Sequence, residues 1–183
     1  MGTSHLKSAA ITNLDATPVV PNTTGEGAPG ILREVSGFTT AVAADAAGST
    51  YQLVRIPSNS KVKHLIFTSE AQGAGAVQLG VYYSDSTVDG TATANQGVVV
   101  PTTGVNFFAN DINIAAAVNS VDEVFQNMAT GGANNLSLYN QPLWQALGLT
   151  SDPGGYFDIV ATVHTTAITT GTGRLGVSCE FID

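Results

Sequence analysis

Over residues 174–181 the chain alternates without a fault: Leu175, Val177, Cys179 and Phe181 are apolar, while Arg174, Gly176, Ser178 and Glu180 are not. A period of two sends one set of side chains to a buried face and the other outward, so the stretch predicts a β-strand on the wall of a core. Residues 77–83 repeat the pattern, with Val77, Leu79, Val81 and Tyr83 on one face and Gln78, Gly80 and Tyr82 on the other. In residues 156–164, Phe157, Ile159, Ala161 and Val163 face inward in the same way. Weaker stretches cover 35–42, 51–56, 62–68, 98–100 and 105–114. Eight short strands are expected.

The punctuation between them is turn chemistry. Pro57, Ser58 and Asn59 separate two strands, and Asp152, Pro153, Gly154 and Gly155 lead into another. Helix is expected only in pieces. Ser120 to Glu123 forms a capping box ahead of Val124, Phe125 and Met128, and Asn140 caps a turn starting near Pro142 with Leu143, Trp144 and Leu147, closed by Gly148. No repeat recurs at a fixed period, which removes solenoids and propellers. An immunoglobulin-like domain lacks its Cys and Trp pattern here. The expected fold is all-β: a jelly-roll-like β-sandwich over residues 34–183 with one or two short helices.

Residues 1–33 read differently. Pro18, Pro21 and Pro29 interrupt a mixture of Thr, Gly and Asn with too little apolar content to fold alone. They predict an extended N-terminal arm that becomes ordered by lying on a partner.

Charge narrows the function. Asp, Glu, Lys and Arg make up 11% of the 183 residues, against about 25% in an average soluble protein. Small uncharged side chains must cover the rest of the surface, ground suited to contact with other subunits. Six basic against 14 acidic residues give a net charge of −8, which repels phosphates, so no nucleic-acid partner is expected. The start lacks a basic and apolar leader, no apolar run has the length of a membrane span, and Leu6 breaks the myristoylation pattern. No membrane partner is expected. Cys179 is the single cysteine, so no internal disulfide forms.

Catalytic and ligand patterns fail one by one. Gly171, Gly173 and Gly176 have the G-x-G-x-x-G spacing, but a strand follows where a phosphate-binding helix is needed, so they read as turn residues. Over residues 85–96, Asp85, Asp89 and Gly90 fit a calcium loop whereas Thr87 and Gln96 do not. Cys179 with His164 and Asp158 would form a nucleophilic triad, yet Cys179 sits in phase with the core positions. His5, His64 and His164 are too scattered for a metal site. No enzyme, cofactor or metal is expected. Asn22 and Asn135 begin glycosylation sequons that matter only in a secreted eukaryotic chain. Arg55, Lys61 and Lys63 hold half the basic charge within nine positions and form a candidate contact patch for an acidic neighbour.

The wording SAAITNLDATPVV (8–20), then YQLVRIPSNSKVKHLIFTSEAQGAGAVQLGVYYSD (51–85), resembles small virion proteins of tailed bacteriophages. In particular it resembles jelly-roll capsid cement, or head decoration, proteins. The resemblance covers residues 8–20 and 35–85, with an echo in FFANDINIAAA and the last strand. Ile56, Pro57, Ser58, Asn59, Gly80, Val81 and Tyr82 carry it, and none belongs to a catalytic motif. It implies a homo-oligomer, trimer or dimer, made in the host cytoplasm, that binds the major capsid protein on the outer face of the capsid and stabilises the shell. On that reading the arm lies along neighbouring capsid subunits, with Ile11, Asn13, Asp15 and Pro18 as contacts beside Arg55, Lys61 and Lys63. A carbohydrate- or receptor-binding jelly roll of the phage tail is the alternative, with Trp144, Tyr139, Tyr82 and Tyr83 as sugar platforms.

Overall fold

A computed structural model describes residues 3–18, 32–84, 98–100, 104–124, 126, 137–169 and 172–182. The strands are β1 (His5–Lys7), β2 (Leu32–Thr40), β3 (Thr50–Pro57), β4 (Lys61–Ser69), β5 (Ala76–Tyr83), β6 (Val98–Val99), β7 (Ala109–Asn113), β8 (Val118–Asp122), β9 (Tyr156–His164) and β10 (Arg174–Ile182). Among the described residues there are also helices α1 (Ala9–Asp15) and α2 (Leu143–Ala146), a 3-10 turn at Gly104–Asn106 and a helical residue, Gln126.

Two sheets face each other across one core. The first runs β1-β3-β9-β5-β6, with β7 also paired to β5, and the second runs β2-β10-β4-β8. Strands 2, 4, 8 and 10 thus stand in one sheet and 3, 5, 7 and 9 in the other, so the chain passes back and forth between the two layers of a β-sandwich. The expected all-β class holds. Tyr51, Leu53, Phe67, Leu79, Phe157, Ile159 and Cys179 are among the side chains sealed between the sheets.

The alternation read in residues 174–181 is reproduced by β10, whose Leu175, Val177, Cys179 and Phe181 are buried. In β5 and β9 the second face is buried too. Gln78, Tyr82, Asp158 and Thr162 lie under cover although they point away from the core. The 3-10 turn explains part of this: a Cβ on Gly80 would stand 2.1 Å from the carbonyl oxygen of Gly104, so only glycine lets the turn lie against the sheet. Gln78 Nε2 donates to Asn110 Oδ1 at 2.5 Å beside it.

Four expectations need correction. Within the expected arm, residues 5–7 form β1, parallel to β3, and residues 9–15 form α1, with the Ser8 hydroxyl accepting from the Ile11 amide at 3.3 Å. Seven residues are too few for a stable isolated helix, so α1 depends on its docked face, where Ile11 is fully buried. The Ser120–Glu123 capping box itself does not form, since residues 118–122 pair with β4 and the Glu123 amide donates to Leu65 O at 2.8 Å; a helical residue does follow at Gln126, while Phe125 and Met128 lie outside the described residues. Pairing along a sheet edge outcompetes a local cap. Asn140 caps nothing, because its side-chain oxygen accepts from Lys63 Nζ at 2.7 Å and the N-cap is Pro142. The single strand expected over 105–114 is shorter, β7, preceded by the 3-10 turn.

Candidate assembly surface

With the first sheet covered outside, the outer face of the second is the bare one. In β2 the outward residues Leu32, Glu34, Ser36, Phe38 and Thr40 are all exposed. Across the sheet, Gly176 pairs with Phe38 on one side and Thr68 on the other, and Ser178 pairs with Ser36 and Ile66. The result is a shallow trough of small uncharged side chains with Phe38, 60% exposed, on its rim. Leu32 at 54% and Val42 at 40% continue the apolar ground along the same edge.

Charges at the margins are already paired. Arg174 Nη2 lies 3.2 Å from Glu70 Oε1, its amide donates to Glu70 Oε2 at 2.7 Å, and its guanidinium carbon stands 5.8 Å from the Phe38 ring centre. The Arg174 backbone N–H, then its side chain, hold the Glu70 carboxyl below the usual carboxylate range. At the other end His64 Nδ1 meets Asp122 Oδ2 at 2.6 Å, and Ser178 donates to Glu34 at 2.6 Å. Such a face suits a protein neighbour of little charge.

The candidate contact residues do not gather there. Arg55, on β3, grips Asp158 of β9 with Nε at 2.6 Å from Oδ1 and Nη2 at 3.0 Å from Oδ2, and reaches Asp15 of α1 with Nη1 at 2.7 Å. Lys7 closes the chain of charges on Asp15 at 2.7 Å. Burial works against the ionised Asp15, but hydrogen bonds from Lys7 and Arg55 outweigh it and lower its pKa. Burial pushes the Asp158 carboxyl up, with Arg55 pulling against it. Arg55 and Ile11 therefore fasten the N-terminal segment instead of facing outward. Lys63, on β4, lies 4.4 Å from the Tyr139 ring centre, and burial followed by the charge of Lys61 depresses its pKa. Lys61 is half-buried, Asn13 half-buried and Pro18 exposed.

The alternative chemistry is dispersed. Asp158 is held by Arg55, His164 pairs through Nδ1 with Asp111, and Cys179 is sealed in the core, where burial raises its thiol pKa. His5 Nδ1 meets Thr50 Oγ1 at 2.9 Å. Among the described residues no group of three or more His, Cys, Asp or Glu could hold a metal ion, and no helix is long and apolar enough to cross a membrane. The possible calcium loop at 85–96, Gly171, Asn22 and Asn135 lie outside the described residues. Tyr82 is buried with its hydroxyl 2.8 Å from Thr162 Oγ1, while Trp144, Tyr139 and Tyr83 are half-buried and pack against the core.

Two features escaped the sequence. Phe38 falls on the polar phase of its strand, in step with Ser36 and out of step with Val35, and that misplaced aromatic was the legible signal. Glu123 had none. Its residue is 1% exposed, one carboxyl oxygen has no partner, and burial, then the charge of Asp122, push it up to about 7.

No protein-family model matches the chain, and the search of curated proteins finds no match. Among solved structures, a chain from the cyanophage Pam1 capsid asymmetric unit aligns over 92% of this chain and 96% of its own length at 12% identity, with a TM-score of 0.42, too low to establish a common fold. A chain from the capsid of Ralstonia phage GP4 aligns over 97% of both chains at 12% identity, with a TM-score of 0.53. From end to end, this chain shares the fold of a component of that phage capsid.

Proposed function

We propose that this chain is a structural, non-enzymatic virion protein: a capsid cement or decoration protein that binds the outer surface of an assembled phage capsid and stabilises it. The observation that carries the reading is the fold shared over 97% of both chains with a component of the Ralstonia phage GP4 capsid. Sparse charge and the uncovered face around Phe38 support it, because a surface of that kind gains from being covered by neighbours. The partners are the major capsid protein and further copies of the chain, as a closed trimer or dimer. Several copies acting together reach an avidity that no single contact provides. A net charge of −8 keeps an exterior protein from competing for packaged DNA.

Sedimentation tests this directly. Purified chain added to assembled heads that lack it is expected to pellet with them and to raise the temperature at which they release DNA. Chain that stays in the supernatant at micromolar concentration and leaves that temperature unchanged would overturn the reading.

A further inference from the structure

β1 is the odd strand of the sandwich. Among the described residues the other pairings are antiparallel, whereas β1 runs parallel to β3 with His5, Leu6 and Lys7 opposite Thr50, Tyr51 and Gln52. It adds to the edge of the sheet as a bound peptide does, by main-chain bonds with side chains seated beside them. The Thr50 amide donates to Ser4 O at 3.0 Å, and the Ser8 amide donates to Gln52 O at 2.6 Å. The Ser4 amide donates to Ser49 Oγ at 3.1 Å, and the Ser4 hydroxyl to buried Asp45 at 2.6 Å. Behind the strand, Ile11 is fully buried and Asp15 closes on Arg55. Every one of these bonds joins residues 4–15 to a body that begins at residue 32, through the thirteen residues 19–31.

We propose that the edge of β3, with the Asp45–Ser49 corner and the Ile11 seat, is a site for the N-terminal segment of a second copy, so that residues 4–15 are exchanged between subunits. The inference rests on the homo-oligomer proposed above and names the contact that holds it together. Thirteen residues span at most about 45 Å when extended, enough to reach an adjoining subunit. An exchanged segment makes the same contacts as an unexchanged one, so the arrangement needs no new interface chemistry. Within an oligomer the neighbour's segment is held at an effective concentration in the millimolar range, so the chain's own segment has no large advantage. Exchange converts contacts inside one subunit into ties between subunits, which suits a protein that reinforces a shell.

A double variant, His5→Cys with Thr50→Cys, tests it on the full chain. The two positions are register partners with side chains in contact at 2.9 Å, and the native Cys179 is buried away from them. After oxidation, denaturing electrophoresis without reductant is expected to show covalent oligomers of the size that light scattering gives for the native protein. Linked monomers from a protein that scatters as an oligomer would overturn the exchange and leave the oligomer standing. A protein that scatters as a monomer would overturn both. Should that pair disturb folding, Ser4→Cys with Ser49→Cys applies the same readout at the adjacent contact.

Discussion

Phe38 and Gly176 are cross-strand partners, and a Cβ on Gly176 would come within 2.8 Å of the Phe38 Cβ. The aromatic side chain stands against a bare stretch of backbone, which lets it remain large and exposed beside Ser36, Thr68 and Ser178. Phe38→Ser removes exposed surface and no core contact. Stability is expected to change by less than about 0.5 kcal/mol, while binding to heads in the sedimentation assay weakens tenfold or more. Unchanged binding would remove this face from the contact.

Arg55 and Asp158 form a different kind of pair. Their side chains are 10% and 2% exposed, so Arg55→Ala leaves a carboxylate buried without its cation. Breaking such a pair costs about 3–5 kcal/mol, and urea unfolding is expected to show a loss of that size. The variant also releases Asp15, so the amides of α1 are expected to exchange with solvent faster than those of β9.

Glu123 makes stability depend on pH. Its pKa is raised to about 7 in the folded chain from an ordinary 4.5, so the folded state holds a proton that the unfolded state has lost between those values. Stability therefore falls as pH rises through that window and levels off above it. The drop is on the order of 2 kcal/mol. Glu123→Gln cannot ionise and is expected to abolish this component in unfolding curves taken from pH 4.5 to pH 8.

Gly80 is needed for contact. A methyl group there would meet the carbonyl oxygens of Gly104 and Val105 at 2.1 and 2.3 Å, both backbone atoms that cannot swing aside. Gly80→Ala is expected to displace the 3-10 turn and destabilise by about 1–3 kcal/mol or more. In a chain of this size that lowers the melting temperature by roughly 2–4 °C for each kcal/mol.

The strands were legible where a single face is buried. In β10 the outward residues from Arg174 to Glu180 are polar or glycine, so the period of two survives in the letters. In β5 and β9 both faces are covered, and the sequence hides this, because Gln78 and Tyr82 look like solvent residues until Asn110 and Thr162 arrive from elsewhere to bond them. The internal engagement of Arg55 was hidden for a related reason. Arg55 reads as surface charge, since Asp158 lies 103 positions away and nothing near Arg55 announces the pairing.

Local order determined the β-class, the turns and the isolation of Cys179 in the core, because alternation, proline and glycine act over a few neighbouring residues. Only the assembled sandwich decided which outer face stays bare, where residues 4–15 dock and why Glu123 holds its proton. Those outcomes depend on groups brought together across 45 to more than 100 positions of chain, and burial and hydrogen bonding between distant partners leave no local mark in the sequence.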